Sequence, residues 1–247
     1  MKLRTKFTAM LLLILAGSGT VALGDESQKD PKALEVLKNM SAYTASLDQF
    51  QIKAEVFGDA RLDAGLIVSN PSEVSITVDR PNSLHIKSFD GLNTREIYIQ
   101  KGQLTLFTSE NNFYARATVP EDIKDAMQYV IEELELDVPL ADLIFADSTL
   151  ALMTAQDTLL YLTNKSRIGG VDCHHVAVRG DEIDLQLWVE EGDRPAPRKI
   201  LMTMKWEGGS PRNTALLEFS KLDELDAKTF EFKAPEGAQE INFVGRD

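Results

Sequence analysis

Cysteine is almost absent: Cys173 is the only one in 247 residues. A lone thiol excludes an intramolecular disulfide, so a sizeable hydrophobic core must hold the fold together. Histidine is limited to His85, His174 and His175, and tryptophan to Trp188 and Trp206. The chain has no Gly-rich phosphate loop, no GxSxG elbow and no HExxH pair, which removes the common signatures of nucleotide binding, acyl transfer and zinc proteolysis. Basic residues are also few, 26 against 39 acidic. That balance argues against nucleic acid, which needs a basic footprint, and against docking on anionic lipid through charge.

Long apolar runs are missing except at the start. Lys2, Arg4 and Lys6 precede the apolar stretch Phe7 to Leu15, and small residues follow, with Ala22 and Gly24 ahead of Asp25. This is the pattern of a secretory signal peptide over 1–24, too short in its apolar part for a bilayer span. No cysteine near the cut offers a lipoprotein attachment point. Loss of the three leader cations leaves 23 basic residues against 39 acidic, a net of about −16. No transmembrane segment is expected after cleavage.

What remains reads as a mainly β chain of α+β type. Leu34, Leu37, Met40 and Leu47 recur at helical spacing, with Asp30 as N-cap and Pro31 in the first turn. From Gln49 to Thr118 the period changes to two. Breaks at Asn70–Pro71, Arg80–Pro81, Asp90–Gly91, Lys101–Gly102 and Asn111–Asn112 fall at the cadence of an antiparallel meander that closes toward a barrel or sandwich. A helical insert occupies about 120–153, where Ile123, Met127, Val130, Ile131 and Leu134 make an apolar stripe. Strand patterns return from TLLYLTNKSRI onward and end in TFEFKAP. About eleven strands on both sides of the insert suggest one sheet, hence one domain over 25–247.

Rare reactive residues gather between Gly169 and Gly209. Cys173, His174 and His175 are metal-ligand types, but successive residues of a strand point to opposite faces. Cys173 and His175 share one face, and His174 joins Val176 and Val178 on the other. The expectation is a buried thiol and a hydrogen-bonded imidazole, with no metal, no cofactor and no catalytic residue. Glu190, Glu191 and Asp193 read as a solvated turn without calcium-loop spacing. Arg194, Arg198 and Lys199 surround Pro195 and Pro197; this basic loop either grips an anionic head group or pairs with the neighbouring acids.

Four blocks, PLADLIFADS (139–148), GGVDCHHVAVR (169–179), DLQLWVEEGDRPAPRKI (184–200) and TFEFKAPEGAQEINF (229–243), closely resemble a family of exported bacterial proteins. The opening DPKALEVLKNMSAYTASLDQF (30–50) is similar to that family's first helix. It is the domain of unknown function numbered two thousand and ninety-two, described as predicted periplasmic protein. The resemblance implies a periplasmic location and the fold of the lipoprotein carriers LolA and LolB. That fold is one strongly curved antiparallel sheet, an open half-barrel, with short helices plugging the concave side over a lipid-binding cavity. No catalytic residues come with it, and the carrier's own motifs do not appear.

On that fold, Ile76, Val78, Ile97, Ile99, Leu104 and Leu106 from the sheet would line the cavity. So would Met127, Val130, Leu134, Leu143, Phe145 and Met153 from the insert, and Met202, Met204 and Trp206 from one strand face. Methionines and aromatics make adaptable linings for apolar ligands, although the same residues also suit an ordinary packed core. The expected function is a non-enzymatic periplasmic protein that binds a lipid, a lipidated peptide or another hydrophobic ligand. The alternative is a filled-core interaction or sensor module whose partner is a periplasmic or outer-membrane protein.

Overall fold

The computed structural model describes residues 29–145, 150–151, 153–155, 158–206 and 209–243. The expected leader at 1–24, its cut before Asp25 and residues 146–149 of the helical insert lie outside these residues.

Helix α1 spans Pro31–Ala45. Asp30 caps it, its carboxylate accepting from the Lys32 amide at 2.8 Å, and Pro31 occupies the first turn where no intrahelical donor is needed. Strands β1 (Gln49–Arg61), β2 (Ile67–Asp79), β3 (Ser83–Phe89), β4 (Thr94–Gln100), β5 (Gln103–Thr108) and β6 (Phe113–Thr118) then form a meander. Helix α2 covers Ile123–Glu132, and a 3-10 turn follows at Ala141–Ile144. The second run holds β7 (Leu159–Leu162), β8 (Ser166–Ile168), β9 (Val171–Arg179), β10 (Ile183–Glu190), β11 (Pro197–Met204) and β12 (Arg212–Lys221). A 3-10 turn at Ala227–Phe230 and the short β13 (Gln239–Ile241) complete the described chain.

All thirteen strands belong to one curved, unclosed sheet in the order β13-β6-β5-β4-β3-β2-β1-β12-β11-β10-β9-β7, with β8 also on β9. Every pairing is antiparallel except β13 on β6. The join between the two runs is β1, which pairs with β2 on one side and β12 on the other.

Register explains the core. Phe50, Val78, Leu84, Ile99 and Leu104 face one another in a row across β1 to β5, and Ile52, Ile76, Ile86, Ile97 and Leu106 make the next row. Because side chains alternate, both rows lie on one face, termed here the inner face. Helix α2 sets Ile123, Ala126, Met127 and Val130 on these rows, and Leu143 and Ile144 of the 3-10 turn join them. A separate cluster packs Ala33, Leu37 and Met40 of α1 on Leu160, Val176, Leu185 and Leu187.

The strand count is thirteen where about eleven were expected, and three local differences stand out. Asn70–Pro71 is no break: β2 runs straight through it, with Pro71 opposite Phe57. TLLYLTNKSRI divides into β7 and β8, both paired with β9. TFEFKAP is not a strand. Phe230 is buried, and Phe232 packs against Tyr98, Phe107 and Tyr114 on the outer face, with ring centroids 5.1–5.7 Å apart. Apolar burial of these two rings replaces ladder pairing as the tie for the C-terminal segment.

Fully buried aliphatic side chains contribute about 1.5–3 kcal/mol each. Ile99→Ala is expected to lower unfolding free energy by about 2–5 kcal/mol in urea titration, whereas Leu92→Ala, at an 87% exposed position, should stay within about 0.5 kcal/mol.

Candidate functional site

The inner face gathers most of the apolar residues expected to line a cavity. Ile76, Val78, Ile97, Ile99, Leu104, Met127, Val130 and Leu143 are buried in one cluster, with Leu106, Leu134 and Phe145 half-buried around it. Met153 and Met202 belong instead to the α1 cluster. Met204 is half-buried and belongs to neither. Trp206 is 47% exposed, beyond the end of β11. Just past the strand end the Lys205 amide still donates to the Glu182 carbonyl at 2.8 Å, while its ammonium contacts the Gly180 carbonyl and sits 3.0 Å from Asp184. Trp206 therefore does not extend the Met202/Met204 face.

Beneath α2 the side chains form one buried apolar cluster. An open space of about 290 Å³ sits at its margin, bordered by Ala45, Arg80, Ile123, Lys124 and Phe145. Arg80 crosses this margin. Its Nε donates to the Leu47 carbonyl at 3.0 Å and its Nη2 to the Ile144 carbonyl at 2.8 Å, with the guanidinium 5.3 Å from the Phe50 ring centre. Arg95 adds a bond from Nη1 to the Asp137 carbonyl at 2.8 Å. Two arginines rooted at strand ends thus hold the segment that follows α2.

The expected basic loop does not exist as a unit. Arg194 is exposed in the turn, but Arg198 and Lys199 lie on β11. A register irregularity between Trp188 and Val189 sets Lys199 opposite Trp188, with Nζ 4.6 Å from its ring centre. Arg198 lies 3.9 Å from Glu190. Both cations are on the outer face, away from α2, and each faces a local group.

The reactive cluster behaves as strand geometry dictates. Cys173 is buried, its Sγ 3.4 Å from the Val171 carbonyl, and burial raises its thiol above the ordinary range. His175 stacks on Trp188 at 4.2 Å with Nε2 3.0 Å from Gln186 Oε1, and desolvation holds its pKa below the usual imidazole value. His174 points to the inner face, 3.8 Å from Glu191. No set of three or more His, Cys, Asp and Glu side chains placed to hold a metal occurs among the described residues.

One polar cluster was not read from the sequence. His85 faces Tyr98 and Lys87 faces Glu96 across β3 and β4. The Tyr98 hydroxyl donates to Glu96 in a short hydrogen bond, and His85 stacks on Tyr98 at 4.1 Å with Nε2 3.9 Å from the same carboxylate. Burial, reinforced by Glu96, drives the Tyr98 phenol well upward, and burial lowers His85. Only register brings these four residues together.

Two measurements check these environments. Native protein should react slowly with a disulfide-exchange chromophore, and release about one equivalent of thiol once unfolded in denaturant. His85 and His175 have lowered native pKa values, so the unfolded state binds more protons near pH 6.5. Stability is therefore expected to fall as pH drops from about 7.5 through 6.5 toward the native values. The urea midpoint should lose part of that dependence in His85→Gln/His175→Gln.

Among solved structures, the chain is similar to lipoprotein LppX of Mycobacterium tuberculosis at 8% identity and TM-score 0.47, covering 80% of this chain and 100% of that one. It is similar to LprF of Mycobacterium bovis at 10% and 0.46, covering 86% and 100%. It is also similar to a LolA superfamily protein of Nitrosomonas europaea at 13% and 0.40, covering 81% and 97%. No curated protein matches the chain. Residues 33–244 match the family described as Predicted periplasmic protein (DUF2092), and the chain belongs to that family.

Proposed function

We propose that this chain is exported with a cleaved leader at 1–24 and works in the periplasm as a single domain over 25–247. There it is a non-enzymatic protein that binds an apolar ligand, such as an acyl chain, between the inner face and the α2 segment. The curved sheet then acts as an open half-barrel and α2 with the following 3-10 turn as its movable plug. The observation that carries this reading is the mismatch between face and cover. An unbroken apolar face spanning five strands is roofed by a ten-residue helix and a four-residue turn. Leu106, Leu134, Leu136, Leu140 and Phe145 remain half-buried at the edges of that roof.

An apolar chain entering there exchanges side-chain contacts of the roof for its own, at about 0.8 kcal/mol per buried methylene. The backbone beside the roof includes Glu135 and Leu140 at positive φ, 50° and 60°, a conformation costly for non-glycine residues and common beside mobile elements. Lys124, which borders the marginal space beside Phe145, takes the head-group role on this side of the sheet, where Arg194, Arg198 and Lys199 do not reach. The family's description and the absence of a helix long and apolar enough to span a membrane among the described residues are consistent with this setting.

The deep burial of the residues beneath α2 favours a second reading, in which the same fold serves as an interaction module for a periplasmic or outer-membrane protein. Fluorescent fatty acid titration separates the two. Uptake by the mature chain, lost by at least about tenfold in Leu134→Asp, is the expected result. Protein purified gently from its own host that carries no extractable lipid and takes up no probe overturns the carrier reading. One stoichiometric partner recovered from periplasmic extract would then support the module.

A further inference from the structure

We propose a second binding site on the outer face of the sheet: a groove that takes an extended peptide segment carrying a basic side chain between apolar ones. The groove has a volume of about 730 Å³ and is floored by β3, β2, β1 and β12, with Ile168 and Gly169 of the β8–β9 turn as one wall. It faces away from α1 and α2.

Register places an unusual row on its floor. Leu216 of β12 stands opposite Glu55 of β1, Glu55 opposite Glu73 of β2, and Glu73 opposite Phe89 of β3. Two carboxylates thus stand directly side by side, bracketed by a leucine and a phenylalanine that are 37% and 38% exposed. Phe57, next on the same side of β1, is 37% exposed as well. Like charges opposite one another weaken a strand pair, and a solvent-facing position offers an easy escape through any neutral residue. The pair stands beside exposed apolar side chains, the composition of a recognition surface rather than of a solvated strand.

Charge decides the sign of the partner. Two of the three cations at the groove are already engaged, Lys87 with Glu96 at 3.3 Å and Arg198 with Glu190 at 3.9 Å. Among the described residues Glu55, Glu73, Glu218 and Lys53 make no ion pair within 4 Å. Lys53 stands directly opposite Glu218, which leaves the adjacent Glu55 and Glu73 carboxylates without a facing cation, and that pair asks for one. A guanidinium spans two adjacent carboxylates with directed hydrogen bonds, while leucine-like neighbours cover Leu216 and Phe89. The floor strands are hydrogen-bonded on both sides, so recognition runs through side chains and not through strand addition. From β3 to β12 the floor crosses three strand spacings, about 14 Å, the reach of about four extended residues, and the test peptide overhangs it at either end. This site stands apart from the apolar one beneath α2.

The test uses the mature chain and a fluorescein-labelled hexapeptide of alternating leucine and arginine, read by anisotropy. Wild type should bind it, and Glu55→Gln/Glu73→Gln should weaken binding by at least about tenfold. The same loss of charge on α2, Glu132→Gln/Glu133→Gln, should change it by less than about twofold. Equal affinity for the groove variant and wild type, equal losses in both variants, or equal binding of a leucine–glutamate peptide would overturn the proposal. An independent readout is thermal: Glu73→Gln should raise the melting temperature by relieving the repulsion, and a lowered value would show the carboxylates serving the fold instead. Fatty acid uptake should be unchanged in Glu55→Gln/Glu73→Gln, so failure of either site is read separately.

Discussion

The structure depends on β1. Its thirteen residues are paired along nearly their whole length, to β2 on one side and to β12 on the other. Without the second pairing the chain is two meanders, each with an open edge beside its apolar face. The β1–β12 ladder joins residues more than 150 positions apart, so the entropy of closing a very long loop is offset by a full row of hydrogen bonds and the burial that follows. Ile52, Ala54 and Val56 are buried on one side of this strand, and Lys53, Glu55 and Phe57 are exposed on the other. A one-residue slip would exchange the two sets.

That alternation also divides the chemistry. The inner face is apolar across five strands, where α2 covers it, and continues to β10, β9 and β7 beneath α1. The outer face is mixed. Its C-terminal segment clamps Phe232 among three aromatic rings at one end, and Trp188 is sandwiched between His175 and Lys199 at the other. The cysteine and histidines that promised reactivity are absorbed into these layers. Burial disfavours the thiolate of Cys173 and the imidazolium of His175 alike.

Much of this was legible in the residues. Period-two alternation located the strands, Asp30–Pro31 located the start of α1, and adjacency on a strand separated Cys173 and His175 from His174. What escaped was whatever depends on which strand lies beside which. Pro71 was read as a break because proline removes a ladder donor, yet β2 carries it. Arg198 and Lys199 looked like loop residues beside two prolines, but a register irregularity sends them to the outer face. The Met202/Met204 spacing did not reveal that the strand ends before Trp206. The Glu55–Glu73 row and the His85–Glu96–Tyr98 cluster depend on register across strands, which no local pattern encodes.

The order in which the sheet is completed bears on how the chain folds as it is synthesised. The first meander receives its last partners from the last residues: β12 closes on β1, β13 closes on β6, and Phe230 and Phe232 cover its outer side. A chain delivered from its N-terminus cannot settle this half until some 240 residues are available. Such a topology folds late and as a whole, because the long-range contacts reward the chain only after their loop entropy has been met. Lateness of that kind leaves both meanders open-edged for as long as β12 remains to be made.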